Sequence, residues 1–236
     1  MSRSSRPGAL WLWSVGILAA AVGASLGTPA FAAAAFKETL IPILGTNRIT
    51  VILEAWPPPA LWWGRVGRMT VVALDARAGD LALEQFTATL YGVRVDPRAL
   101  YADRALLIRS IAAGSARGLV SQEALARSLA LQPGVRVDTV LLRPDGVVVR
   151  GALRVFGTDV AVEGAGRFVL AGSDTLDLIL DRVTLGGSGA STVVGGRLAT
   201  RIPSVLRIPP LPLGLRLTDV HTEDGRLVLD AATGPS

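Results

Sequence analysis

The chain has 236 residues, half of them hydrophobic and 18% charged, which excludes an intrinsically disordered protein, since disorder needs low hydrophobicity and high charge. The formal charge is +5, and setting aside Arg3 and Arg6 of the N-terminal segment leaves +3. Lys37 is the sole lysine, and the arginines are scattered singly with no basic run that would track a phosphate backbone, so no nucleic-acid partner is expected. There is no cysteine, which rules out disulfide staples and lipidation at an N-terminal cysteine.

Arg3 and Arg6 form a short positive region, and Pro7 to Phe36 carries no charge. Ala9 to Leu26 is apolar, and Ala30-Phe31-Ala32 follows Pro29. Small residues spaced in this way mark a signal peptide cleaved after Ala32. An uncleaved anchor is the alternative, because about 18 apolar residues just reach across a bilayer. Either places the domain outside the cytoplasm, with the positive end inside. The expected division is an export segment over 1–32 and one domain over 33–236, a size that supports a single core.

Phe36 to Leu44 reads as a short helix ending at Gly45, and Ile49 to Ala55 as a strand. Trp56-Pro57-Pro58-Pro59-Ala60-Leu61-Trp62-Trp63-Gly64 interrupts the pattern, since proline cannot donate to a sheet. Met69 to Arg77, Leu83 to Val95 and Leu106 to Val120 follow as strands. Ser121 is a good helix cap with Glu123 in the first turn. Ala124, Leu125, Ser128 and Leu129 share one face, and Pro133-Gly134 is the stop signal. Hairpins come next: Val135 to Leu142, the turn Pro144-Asp145-Gly146, a period-2 strand from Val147 to Val155, Asp159 to Leu170, the turn Gly172-Ser173-Asp174, and Thr175 to Leu185. In Ser191 to Leu206, the residues Val194, Leu198, Ile202, Val205 and Leu206 recur at helical spacing. Leu215 to Thr218 and Leu227 to Leu229 close the chain around Glu223-Asp224-Gly225. No internal repeat or linker divides it. The expected fold class is α+β: an antiparallel, strand-rich domain with two or three helices.

Catalytic patterns are thin. His221 is the single histidine, on an expected strand beside Asp219, and reads as structural, so no metal is expected. Asp177 and Asp181, four apart on a strand, read as solvated surface charge and not as a glycosidase pair. Gly186-Gly187-Ser188-Gly189-Ala190 approaches the G-x-S-x-G elbow of serine hydrolases, but Ala190 replaces the last glycine and the surroundings are hairpins, so Ser188 reads as a turn residue. No cofactor motif occurs.

Three stretches resemble the bacterial LmeA-type phospholipid-binding family, formerly a domain of unknown function. They are Ile49 to Ala76, with Trp63-Gly64-Arg65-Val66-Gly67-Arg68 at its centre; Leu119 to Leu129; and Ile208-Pro209-Pro210-Leu211-Pro212-Leu213-Gly214-Leu215 through Val220 with Glu223 to Leu229. Together they run over most of 48–232. The resemblance implies an extracytoplasmic envelope protein with a curved antiparallel sheet wrapped on one long and one or two short helices, similar to tubular lipid-binding folds. It also implies a phospholipid held in an apolar cavity. The Pro57-Pro58-Pro59 run and the Trp62-Trp63 pair depart from the family pattern. Strands of about eight residues span ~26 Å, more than the half of a ~30 Å core that one leaflet occupies, so acyl chains fit such a shelter. The expected function is phospholipid binding or lipid transfer, without catalysis. The alternatives are a ligand-free structural or interaction module of the envelope and, third, a hydrolase using Ser188. Tryptophan favours membrane interfaces, so Trp56, Leu61, Trp62 and Trp63 are the expected lipid-binding or membrane-contact residues. The competing reading makes these tryptophans a plug at one end of the core.

Overall fold

The structure is a computed structural model. It describes residues 33–234 apart from 35, 56–59, 61–62, 103–106, 131–134, 156–157, 187–191, 195–199 and 209–210. The expected export segment, Trp56, Leu61, Trp62, Pro133-Gly134 and Ser188 therefore lie outside the described residues.

Helix α1 covers 36–44 and closes on Gly45 at φ +62°, whose N–H bonds the Ile41 carbonyl at 2.8 Å. Its apolar positions Phe36, Leu40 and Leu44 recur every four residues, so they share one face, and all three are buried in the core. The strands of the first sheet are β1 (Ile49–Glu54), β2 (Arg65–Ala78), β3 (Leu81–Val95), β4 (Ile108–Ser110), β5 (Ala113–Val120), β12 (Leu215–Glu223) and β13 (Arg226–Thr233). Their order is β1-β2-β3-β5-β13-β12, with β4 also on β3. The second sheet holds β6 (Val135–Arg143), β7 (Gly146–Val155), β8 (Thr158–Leu170), β9 (Thr175–Gly186), β10 (Thr192–Val194) and β11 (Thr200–Arg207). Its order is β10-β9-β8-β7-β6, with β11 on β9. Every pairing is antiparallel. The second sheet is thus inserted between β5 and the terminal hairpin, which returns to the first. With mostly strand and few short helices, and with no closed barrel, this is the expected α+β class.

The β2–β3 hairpin curves. Its register holds from Ala78↔Leu81 to Arg65↔Arg94, yet its buried side changes parity twice. On β3, Leu81 and Leu83 give way to Phe86, Ala88 and Leu90, and these to Val93 and Val95. Asp75 (φ 53°) and Gly92 (φ 59°) mark the two changes. A left-handed residue turns a strand about its axis, and Asp tolerates that region better than most.

Helix α3 (Gln122–Ala130) joins the two sheets. Ser121 Oγ accepts the Ala124 N–H at 3.2 Å, the cap expected from the sequence. Ala124, Leu125, Ser128 and Leu129 are its buried face. Ser128 Oγ donates to the Asp80 carbonyl at the β2–β3 turn, and Gln122 Oε1 accepts the Leu142 N–H of β6. The terminal hairpin turns through Asp224 and Gly225 at φ 50° and 72°, the two positive angles that a tight two-residue hairpin favours.

Two expected elements are corrected. The span Leu106 to Val120 is not one strand but β4 and β5, and helix α2 (Pro97–Ala102) precedes them. Asp96-Pro97 is a cap followed by a first-turn proline: Asp96 Oδ1 accepts the N–H groups of Arg98 and Ala99 at 2.9 and 3.4 Å. The span Ser191 to Leu206 is not helical where described; it holds β10 and β11. A register shift between Ile202 and Leu206, with Ser204 at φ 54°, breaks the period of two and imitates helical spacing.

Asp177 is also corrected. It is not solvated: its side chain is 3% exposed, paired with Arg201, and its Oδ1 accepts the Ser204 N–H at 2.8 Å. Those bonds hold β11 on β9 across the irregularity. Asp181 is exposed and pairs with Arg167 at 3.2 Å. A one-residue register shift separates the two acids, Ala165 pairing Arg182 and Gly166 pairing Leu180.

Candidate functional site: an arginine cleft beside Trp63

Trp63 opens onto a cleft of about 560 Å³ at the end of the β2–β3 hairpin remote from its turn. The lining residues are Trp63, Gly64, Arg65, Arg94, Val95, Asp96, Pro97, Arg98, Arg109 and Ser110. The volume falls within the roughly 300–1,000 Å³ of typical ligand sites. Gly64 fixes the entrance. It sits at φ +69°, where a Cβ would collide with the Val95 carbonyl oxygen, and its own carbonyl accepts the Val95 N–H at 2.8 Å. The tryptophan is thereby tied to the end of β3.

Among the described residues, four arginines and one carboxylate line the cleft. Asp96 Oδ2 accepts from Arg109 Nη2 at 2.6 Å. That bond first, and the Arg98 N–H second, hold the Asp96 carboxyl below its ordinary range. Arg65 and Arg94 stand directly opposite on β2 and β3, and neither makes an ion pair among the described residues. Like charges at opposed positions destabilise a sheet, so folding alone does not account for the pair. Scattered in sequence, these arginines are gathered in space.

Trp63 is 67% exposed, so it is not a core plug. Leu107 is 56% exposed, and its carbonyl accepts the Asp96 N–H at 2.8 Å, which sets it next to the cleft. Among the described residues these are the two most exposed large apolar side chains.

A second pocket lies deeper, between the first sheet and the segment that carries Ile208 and Leu211. Its lining is apolar or glycine throughout: Ala78, Leu83, Phe86, Ala116, Gly118, Ile208, Leu211, Leu217, Leu229 and Ala231. Its volume is only about 20 Å³, so the walls are nearly in contact. Ile208 and Leu217 are held from the second sheet, their N–H groups donating to the Asp174 and Ser173 carbonyls at 2.8 and 3.3 Å.

His221 and Asp219 on the edge strand β12 meet Asp230 of β13, their ligating atoms within 4.8 Å of one another. His221 Nδ1 is 3.0 Å from Asp219 Oδ2, while Asp230 accepts from Arg117 at 3.0 Å. The cluster is an ion-paired hairpin surface. The histidine and its acid are therefore together, but Ser188, the third member of the hydrolase alternative, is outside the described residues.

The arginine cleft escaped the sequence reading because its members come from β2, β3, α2 and β4. The one local signal was Trp63-Gly64-Arg65. Among the described residues no helix is long and apolar enough to cross a membrane. Comparison with known proteins gives one family: a model described as LmeA-like phospholipid-binding matches residues 23–232. No curated protein and no solved structure matches the chain.

Proposed function

Given that the chain belongs to the LmeA-like phospholipid-binding family, we propose that it is an extracytoplasmic carrier of phospholipid in the bacterial cell envelope. Acyl chains enter the apolar space between the first sheet and the segment carrying Ile208 and Leu211, and the end bearing Trp63 meets the membrane. The observation that carries this reading is the lining of the inner pocket, which has no polar side chain. Such a surface attracts hydrocarbon without specific contacts, at about 0.8 kcal/mol per buried CH₂. At about 20 Å³ the pocket is too small for an acyl chain, so loading requires the segment carrying Ile208 and Leu211 to lift from the first sheet. A binding family without an assigned reaction agrees with a non-catalytic role. The export-signal pattern over 1–32 supports the location.

Replacing Trp63 with alanine tests the membrane-facing end. Because the side chain is mostly exposed, the melting temperature is expected to stay within about 2 °C of wild type, as for surface changes within ±0.5 kcal/mol. Sedimentation with liposomes is expected to fall, and the liposome-induced blue shift of tryptophan fluorescence to shrink. A large fall in melting temperature with unaltered liposome binding would assign Trp63 to packing instead.

A further inference from the structure

We infer that the arginine cleft is a docking site for the phosphate of an anionic phospholipid headgroup still embedded in a membrane. This deepens the carrier reading and rests on it. Three observations converge. Arg65 and Arg94 are opposed across β2 and β3 without counterions among the described residues, so the sheet keeps a repulsion that a bound anion would relieve. The one carboxylate among the described lining residues, Asp96, is already engaged by Arg109 and by two backbone N–H groups of α2, which leaves the described lining net positive. Trp63, the most exposed large apolar side chain described, lines the opening, and the backbone of Leu107, the next most exposed, is bonded to Asp96 of its lining. A free anion needs no such apolar rim. A headgroup does, since its phosphate sits at the level where tryptophan partitions and hydrocarbon begins just below. Guanidinium forks suit phosphate oxygens through paired, charge-assisted hydrogen bonds. Anionic lipid is favoured over zwitterionic lipid because the latter returns a positive charge to the cleft.

The experiment compares the full mature chain with Arg65→Gln/Arg94→Gln on vesicles of phosphatidylcholine alone and of phosphatidylcholine mixed with phosphatidylglycerol. Wild type is expected to prefer the anionic vesicles and to lose that preference as salt rises. The double variant is expected to bind them about twenty-five-fold more weakly, roughly fivefold for each cation removed. Its melting temperature is expected to be unchanged or higher, because the opposed charges are gone. Arg98→Gln, on α2 and outside the sheet, gives a second reading should the double variant not fold, with an expected loss of about fivefold. Equal binding of both vesicle types, or variants indistinguishable from wild type, overturns the proposal. So does displacement of bound vesicles by inorganic phosphate beyond the effect of sodium chloride at matched ionic strength, which would make the cleft a site for soluble phosphate. Retention of a single-stranded oligonucleotide that anionic vesicles do not displace also overturns it. Lipid carried by each variant, read by solvent extraction, separates the two proposals. Carried lipid with no anionic preference sinks the docking site alone. Anionic preference with no carried lipid sinks the carrier and leaves the docking site standing.

Discussion

Phe36→Ala is expected to lower the stability of the mature domain by about 3–5 kcal/mol, the range for truncating a fully buried aromatic. Phe36 is 0% exposed and packs in the common core with Leu40 and Leu44 of α1. The melting temperature should fall by roughly 6–20 °C for a chain of this size. The result bears on more than packing, because Phe36 lies just beyond the expected cleavage after Ala32. Chain termini usually fray. Here α1 instead supplies three buried side chains, and the Thr46 hydroxyl donates to the Leu74 carbonyl of β2 at 2.9 Å. Ile43→Ala is the control on the same helix: that side chain is about half exposed, and its loss should cost little. Thermal unfolding of both variants decides it. Equal, small shifts would show that α1 is not part of the folding unit.

Asp177→Ala is expected to be the most damaging charge removal in the second sheet. It strips a buried acceptor from the Ser204 N–H and leaves Arg201 without its partner. An unsatisfied group at such a site costs far more than the intact bond contributes. Asp177→Asn keeps an oxygen for Ser204 but not the charge, so its melting temperature should lie between alanine and wild type. The acid profile carries the same information. The Ser204 N–H first, then Arg201, hold the Asp177 carboxyl below its ordinary value. A group whose folded pKa is depressed contributes stability above its unfolded pKa, about 3.9 for aspartate, and loses it as pH falls through the folded value. Wild-type stability is therefore expected to decline below about pH 4. The decline should be shallower in Asp177→Asn, though not absent, because Glu84 beside Arg226 and Asp96 beside Arg109 shift in the same direction. Parallel acid limbs for the two proteins would contradict the clamp.

Much of the fold was legible because its signals are local. The Ser121 cap, the Asp224-Gly225 turn and the alternation in β7 each fix an element from a few neighbouring residues. The misreadings share another cause. Ser204 at positive φ puts Val205 and Leu206 both into the core, so strand β11 shows apolar residues at spacings a helix would give. Asp177 lies next to Leu176 and Leu178, both buried. An acid between two core residues is normally on the outer face, and only the return of Ser204 and Arg201 buries it. The site is the extreme case. Arg65 and Arg109 are far apart in sequence, and nothing local to either announces the other; cross-strand register and the α2 turn bring them to one cleft. The family, in contrast, was readable from Ile208 to Val220 and from the Trp63-Gly64-Arg65 stretch, because those motifs encode turns and strand starts that the sequence states directly.

Native mass spectrometry of the gently purified mature chain, paired with solvent extraction, tests the central claim most directly. The carrier reading predicts a population shifted by the mass of one phospholipid, with the same lipid recovered in the extract and the unshifted mass restored once it is removed. Spectra that stay at the bare protein mass, from repeated preparations and after incubation with phospholipid vesicles, would contradict it and leave a ligand-free envelope module in its place.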